Sequence, residues 1–191
     1  LRRDRQQLHI LELSAREITP DRDAKLAELK RLISQKAHAP TTDKLGRPNR
    51  KVLVFTAFAD TAVYLYDAIH AWARQELGLH VALVTGGGAA NRTTLGRNDF
   101  SAILTNFAPV SKHRGQMRDM PQADEIDLLI ATDCISEGQN LQDCDTLVNY
   151  DIHWNPVRVI QRFGRIDRIG SIHHAVQLIN FWPTQDLDKY I

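Results

Sequence analysis

Apolar residues beyond position 50 are concentrated in short, continuous runs separated by longer amphipathic segments. Continuous runs that are rich in β-branched residues are typical of strands buried on both faces, whereas a half-solvated strand alternates apolar and polar residues. The pattern predicts strands at residues 51–56, 81–85, 126–132, 146–151 and 176–182, and a strand or extended segment at residues 102–107. Strands that alternate with helices predict an α/β fold with a mostly parallel central sheet flanked by helices.

The clearest helical period lies in the segment TPDRDAKLAELKRLISQKA. Leu26, Leu29 and Ile33 recur at the spacing of one helical face, so they form a predicted core stripe. Thr19 is a predicted N-cap, with Pro20 at the first helical position. Weaker helical patterns cover residues 1–18, 60–77 and 90–98.

Composition narrows the function classes only slightly. The formal net charge is +1, so any basic surface for nucleic acid has to be local. The two cysteines, Cys134 and Cys144, form no CxxC motif, which argues against a zinc site or a disulfide framework and fits a reduced cytoplasmic compartment. No apolar run is long enough to span a membrane. Because the chain begins LRRDRQQL without methionine, we expect it to be a piece of a longer protein.

Candidate chemistry follows the predicted strands, because ligands of open parallel sheets bind outside the carboxyl ends of the strands. The segment ATDCISEGQNLQ, residues 131–142, carries small polar residues directly after a strand. Small side chains let backbone amides approach a phosphate or sugar, and Gly138 can adopt backbone conformations closed to other residues. The alternative is an ordinary helix start capped by Thr132 or Asp133.

A second candidate is the segment QRFGRIDRIGS, residues 161–171. Asn155 and Pro156 predict a helix start just before it. One face of that helix carries the arginines Arg158, Arg162 and Arg165. Like charges along a face repel one another unless an anion or a carboxylate lies opposite, and arginine favours bidentate contact with phosphate. Gly164 costs about 1 kcal/mol relative to alanine inside a helix, which favours a close approach or a helix end there. A solvated basic helix end is the alternative.

The order of these motifs is distinctive: KVLVFT, TG, IATDxxSEGxNLQ and YDxxWNPxxxxQRxGRxxRIG. It resembles the C-terminal RecA-like lobe of superfamily 2 helicases, on their Swi/Snf-like side, over roughly residues 51–182. The WNP triplet and Asn140 look Swi/Snf-like, whereas eukaryotic Swi/Snf remodellers usually carry Asp at the position of Gly164 and His at that of Asp167. The resemblance therefore favours a prokaryotic-type helicase-like ATPase. It implies a three-layer RecA-like domain at residues 51–191, preceded by a helical segment and linker at residues 1–50.

In this family ATP binds between two RecA-like lobes, and the second lobe supplies arginine fingers. The resemblance implies Arg165 and Arg168 as the catalytic fingers, with Arg168 at the transferring phosphate. It places Gln161 as a positioning residue of the ATP site, and Gly138 and Asn140 near the nucleotide's sugar. Contacts with nucleic acid are implied for five residues: Thr56, Thr85, Gly86, Thr132 and Trp154.

The sequence given contains neither a GxxxxGK[ST] motif nor an acidic pair after a first-lobe strand. We therefore expect the cofactors ATP and Mg²⁺ to depend on an N-terminal lobe of the same polypeptide, and the isolated fragment to be inactive. The leading hypothesis is the second motor lobe of an ATP-dependent helicase or translocase whose nucleic-acid partner is double-stranded DNA. The alternative is a non-catalytic module that binds nucleic acid or protein. The basic loop at residues 111–124, with Lys112, His113, Arg114 and Arg118, is either a contact to a nucleic-acid backbone or a solvated face.

Overall fold

The computed structural model describes residues 2–16, 19–86, 91–135, 138–151 and 155–182. The N-terminal part contains helix α1 (Arg2–Arg16), helix α2 (Ala24–His38) and a small antiparallel hairpin of β1 (Thr41–Thr42) and β2 (Pro48–Asn49). The elements that follow are β3 (Val52–Phe55), α3 (Ala59–Leu77), β4 (Val81–Val84), β5 (Arg92–Thr93), α4 (Phe100–Phe107), a 3₁₀ turn (Arg114–Gln116), β6 (Leu128–Ala131), β7 (Thr146–Asn149), α5 (Pro156–Phe163) and β8 (Gln177–Asn180). Among the described residues, no helix has the length and apolar character needed to cross a membrane.

The central sheet has six strands in the order β5-β4-β6-β3-β7-β8. All neighbouring strands run parallel except β4 and β5, which pair antiparallel. In the middle of the sheet, Val54 pairs with Ile130 on one side and with Val148 on the other. The carboxyl ends of β4, β6, β3 and β7 therefore meet at one edge, as the sequence predicts for a mostly parallel sheet.

The core lies on both faces of this sheet. On one face, α2 and α3 pack against side chains such as Val54 and Val148. On the other face, Leu53 and Phe55 pack with α4 and with Ile166, which follows α5. Successive strand residues point to opposite faces, so a strand with helices on both sides has to be apolar throughout. The predicted three-layer α/β architecture is confirmed.

The predicted start of α2 is wrong by several residues. Residues 20–22 form a turn, in which the Arg22 amide donates to the Thr19 carbonyl at 2.9 Å. The N-cap is Asp23, whose Oδ1 accepts the amides of Lys25 at 2.9 Å and Leu26 at 3.0 Å. A carboxylate that accepts two of the otherwise unpaired amides competes effectively with the Thr-Pro signal upstream.

The segment at residues 90–107 also differs from its prediction. The expected helix at residues 90–98 is replaced, in its described part, by the short edge strand β5, and the expected strand at residues 102–107 is helix α4. Asp99 caps α4 by accepting the Ala102 amide at 2.9 Å. The apolar run is short and nearly all of it is buried, so its period could not distinguish a strand from a buried helix.

Candidate functional site

Three of the predicted nucleic-acid residues form a row at the carboxyl edge of the sheet. Thr85, Thr132 and Thr56 directly follow the adjacent strands β4, β6 and β3. Their backbones extend the ladder, because the Thr132 amide donates to Val84 at 3.2 Å and the Thr56 amide donates to Ala131 at 3.0 Å. The fold therefore brings together residues that lie up to 76 positions apart in the chain.

Each threonine of this row is buried. Thr56 is 0% exposed, and its hydroxyl donates to the carboxylate of Asp151, which also accepts Lys25 Nζ at 3.0 Å. The Thr85 amide donates to Asn91 Oδ1 at 3.1 Å. The exposed groups at this edge are the neighbours of the threonines, Gly86 and Phe58 among them. Trp154 lies outside the described residues.

Thr132 also influences the thiol beside it. Burial raises the pKa of Cys134, and a hydrogen bond with the Thr132 side chain opposes that rise. The Cys134 thiol points at the Val84 carbonyl, with a sulfur–oxygen distance of 3.7 Å. This thiol packs within the strand edge as a small, weakly polar side chain.

Arg162 makes four side-chain hydrogen bonds, although the sequence identified it only as one of three arginines on a helix face. Its side chain is 2% exposed. The guanidinium forms a bidentate ion pair with Asp133, with Nε–Oδ1 at 2.7 Å and Nη2–Oδ2 at 2.9 Å. Its Nη1 donates to Asn149 Oδ1 at 3.0 Å and to the Asp151 carbonyl at 3.2 Å. The guanidinium carbon lies 5.2 Å from the ring centroid of Phe55. One buried cation thus joins α5 to the ends of β3, β6 and β7.

The predicted arginine fingers follow α5. The helix begins as predicted, with the Asn155 side chain accepting the Val157 amide at 2.9 Å, and it ends at Phe163 with Gly164 as the C-cap. Arg165 therefore lies in the turn beyond the helix, and it is 8% exposed. Arg168 is half-buried, and its Nε donates to the Gly164 carbonyl at 3.1 Å.

The two candidate segments contact each other directly. The Leu141 amide donates to the Arg165 carbonyl at 3.0 Å, which joins residues 138–141 to the arginine segment. A small cleft of about 40 Å³ lies between the segments and is lined by Phe55, Asp133, Ile135, Arg158, Gln161, Arg162 and Arg165. The predicted positioning residue Gln161 and the predicted finger Arg165 are therefore brought to the same cleft.

The loop at residues 138–141, which is predicted to lie near the nucleotide's sugar, is exposed to solvent at Gly138. Gly138 is exposed and has φ +93°, a left-handed conformation that glycine adopts without strain. Asn140 Oδ1 accepts the Gln142 amide at 3.2 Å, a local bond that shapes the turn. The Leu141 side chain anchors the turn in the core.

Two residues of the basic loop differ in their positions: Lys112 contacts the loop at residues 138–141, whereas Arg114 is buried. The Lys112 ammonium donates to the side-chain oxygen of Gln139, between Gly138 and Asn140. Arg114 is 4% exposed, and its Nη1 donates to the Asp124 carbonyl at 2.8 Å. Because Arg114 is buried within its own loop, the idea that it contacts a nucleic-acid backbone is not supported.

Sequence reasoning missed the roles of Asp133, Asn149 and Lys112. Asp133 was a candidate helix cap, yet its carboxylate pairs with Arg162. The available signal was position, because Asp133 and Asn149 lie at the ends of parallel strands that meet at one edge. For Lys112 no comparable signal exists, since it lies in an irregular loop between α4 and β6.

Comparison with known proteins places this geometry in a family. Residues 24–170 match the helicase conserved C-terminal domain. The uncharacterized ATP-dependent helicase YqhH of Bacillus subtilis (strain 168) is 30% identical over 149 residues, which are 78% of this chain and 22% of YqhH. The RNA polymerase-associated protein RapA of Serratia proteamaculans (strain 568) is 40% identical over 125 residues, which are 65% of this chain and 10% of RapA.

The fold itself matches a solved structure, the C-terminal part of the Fun30 ATPase domain. The match covers 93% of this chain and 48% of the Fun30 chain, with a TM-score of 0.56 and a sequence identity of 18%. The motif order, the parallel sheet and the family match agree. The chain therefore belongs to the helicase conserved C-terminal domain family, and its fold is that of a RecA-like lobe.

Proposed function

We propose that this chain is the second motor lobe of an ATP-dependent DNA helicase or translocase. The observation that carries the proposal is the hydrogen bond from the Leu141 amide to the Arg165 carbonyl, which joins the arginine segment to residues 138–141. In this proposal, residues 51–191 form the lobe and residues 1–50 lead into it from an N-terminal lobe of the same polypeptide.

The hydrogen-bond donors of the arginine segment and of residues 138–141 suit a polyphosphate ligand. Arg165 and Arg168 provide guanidinium groups, and the Gly138 turn leaves its backbone open to an approaching ligand. ATP with its Mg²⁺ would supply the phosphoryl group to be cleaved, and the ligands of Mg²⁺ are expected from the other lobe. Arg168, with Arg165 beside it, stabilises negative charge that develops on the transferring phosphoryl oxygens. Gln161 and the buried Arg162 hold the arginine segment in place.

Nucleic acid is proposed to bind along the row of strand ends. Thr56, Thr85 and Thr132 set the backbone at this edge, and the exposed residues beside them, including Gly86, are in reach of a phosphate chain. Trp154 is a proposed stacking residue, because aromatic rings stack on bases without regard to sequence. Double-stranded DNA is the proposed substrate because the motifs are on the Swi/Snf-like side of the family. Closure of the two lobes on ATP, and their opening after hydrolysis, would move the protein along the nucleic acid.

The test is the variant Arg168→Ala in the full-length protein. Loss of an arginine finger costs about 10³ to 10⁵ in the rate of related nucleotide hydrolases, so we expect nucleic-acid-stimulated ATP turnover to fall by at least about 10³. Thermal unfolding should be unchanged, because Arg168 is only half-buried. Arg74→Ala is the matched control, since Arg74 is an exposed cation near the end of α3, at the other face of the sheet. Turnover near the wild-type rate in Arg168→Ala would contradict the finger assignment.

The second candidate function is a non-catalytic module that binds nucleic acid or protein. The burial of the threonine row favours the protein-binding form of this module, because buried side chains are not available to contact a nucleic acid. If this candidate is correct, the full-length protein binds nucleic acid or protein but hydrolyses no ATP. The isolated 191 residues are expected to be inactive under either hypothesis.

A further inference from the structure

The basic loop between α4 and β6 folds back onto the segment that follows β6. The Asp143 carboxylate accepts the amides of Val110 at 2.6 Å and Ser111 at 2.9 Å. Asp143 is 4% exposed, so these bonds are protected from water. Next in the loop, the Lys112 amide donates to the Ala108 carbonyl at 2.9 Å. The start of the loop is therefore fixed, and Lys112 extends from a well-defined position.

From this position the Lys112 side chain reaches the proposed nucleotide loop. Its ammonium donates to the side-chain oxygen of Gln139, the residue between the open turn at Gly138 and Asn140. An ammonium has three donor hydrogens, and this bond uses one of them. Among the described residues, two donors of this half-buried cation remain without a partner beside the turn.

Arg168 also lies beside residues 138–141, because its Nε donates to the Gly164 carbonyl, next to the Arg165 carbonyl that accepts the Leu141 amide. Burial lowers the pKa of the Lys112 ammonium, and the neighbouring positive charge of Arg168 lowers it further. Within the part of the chain that the structure describes, neither residue forms an ion pair with a carboxylate. Two partly desolvated cations without a carboxylate repel each other, and an anion placed between them would turn that repulsion into attraction.

We propose that Lys112 is a further ATP-binding residue, which contacts a phosphate oxygen of ATP together with Arg168. This inference rests on the proposed function, because it assumes that ATP occupies the edge formed by residues 138–141 and the arginine segment. Lysine suits this role as a compact point charge, whereas the arginines provide directed, bidentate contacts. Lys112 lies outside the four motifs that carry the resemblance to helicases, so the motifs alone do not point to it.

The experiment measures ATP turnover of the full-length protein at saturating nucleic acid, with Lys112→Ala and Lys112→Gln. Both variants remove the charge, and Lys112→Gln keeps a hydrogen-bonding side chain in case the truncation disturbs the loop. We expect the KM for ATP to rise roughly tenfold, since one charge-assisted hydrogen bond is lost. The kcat should change by less than about threefold, because this contact is present before and during the transition state. Lys112→Arg should restore most of the affinity.

Two further variants separate the charge from its surroundings. Gln139→Ala removes the hydrogen-bond partner but keeps the ammonium, so its KM should rise less than that of Lys112→Ala. Arg74→Ala, on helix α3 at the other face of the sheet, should leave the KM unchanged. A KM within about twofold of wild type in both charge-removing variants would overturn the inference. So would weaker nucleic-acid binding at an unchanged KM, which would assign Lys112 to the nucleic acid instead.

The outcomes distinguish this inference from the proposed function. If Arg168→Ala abolishes turnover while the Lys112 variants behave as wild type, the motor assignment stands and only the role of Lys112 fails. If Arg168→Ala keeps full turnover, the proposed site fails, and the inference about Lys112 fails with it.

Discussion

The buried face of helix α2 is mainly apolar, whereas the side chain that helix α5 buries is charged. Helix α2 turns an apolar stripe to the core, in which Leu29 is 0% exposed and Ile33 is 1% exposed. Helix α5 buries Arg162 instead, while Val157 is 53% exposed and Ile160 is 67% exposed. By apolar pattern alone, both helices have a face that could enter a core. In α2 that face is fully buried, whereas in α5 Val159 and Phe163 are only partly buried.

The difference shows two ways of fixing a helix in the same fold. Burial of Leu29 and Ile33 releases apolar surface from water and depends little on direction. Burial of a guanidinium is costly unless its donors are paired, and Arg162 has four directed bonds to compensate. Directed bonds set the position and rotation of α5, and α5 leads into the proposed fingers. Apolar packing provides most of the buried face of α2, and one directed ion pair, from the buried Lys36 to Asp145 at 2.7 Å, is added in its last turn.

The largest expected effect comes from breaking the ion pair of α5. Asp133→Ala leaves Arg162 buried with an uncompensated charge, which costs about 3 to 5 kcal/mol of unfolding free energy. Chemical denaturation of the chain measures this loss. Combining Asp133→Ala with Arg162→Met should recover much of it, because an apolar side chain then fills the site. A loss below about 1 kcal/mol in the single variant would mean that the pair resembles a surface ion pair.

A smaller effect is expected from truncating the apolar stripe of α2. Leu29→Ala removes a fully buried side chain and leaves a cavity, which costs about 2 to 5 kcal/mol, with a value near 3 expected here. The same denaturation experiment applies. Leu29→Met is the matched control, since it conserves volume and should cost less than about 1.5 kcal/mol. If Leu29→Ala were nearly neutral, α2 would not be part of the core of this lobe.

The smallest effect is expected at the exposed apolar positions of α5. Ile160→Ala should change the unfolding free energy by less than about 0.5 kcal/mol, because the side chain is largely in water. A loss comparable to that of Leu29→Ala would show that α5 rests on its apolar face after all, and the comparison between the two helices would then fail. A shift of the unfolding midpoint, followed by circular dichroism, measures this change in unfolding free energy.

Much of the fold could be predicted because its signals are local. The continuous apolar runs of β3, β4, β6 and β7 require cover on both faces, and this requirement leads to a parallel sheet. The rule about carboxyl ends then brought residues 131–142 and the arginine segment to one edge. The strand prediction for the short run at residues 102–107 was wrong, because a fully buried helix and a buried strand have the same composition over so few residues. The domain boundary at residue 50 and the roles of the site residues remain predictions.

By itself the sequence determined the class of fold, the apolar face of α2, the start of α5 and the family to which the motifs belong. Each of these depends on residues that are close in the chain or on a motif read as a whole. Tertiary structure alone decided that Arg162 is buried against Asp133, 29 residues away, and that Lys112 reaches Gln139, 27 residues away. An arginine in a sequence is compatible with solvent, phosphate or a carboxylate, and the choice depends on which distant groups the fold brings within about 3 Å, the range of a hydrogen bond.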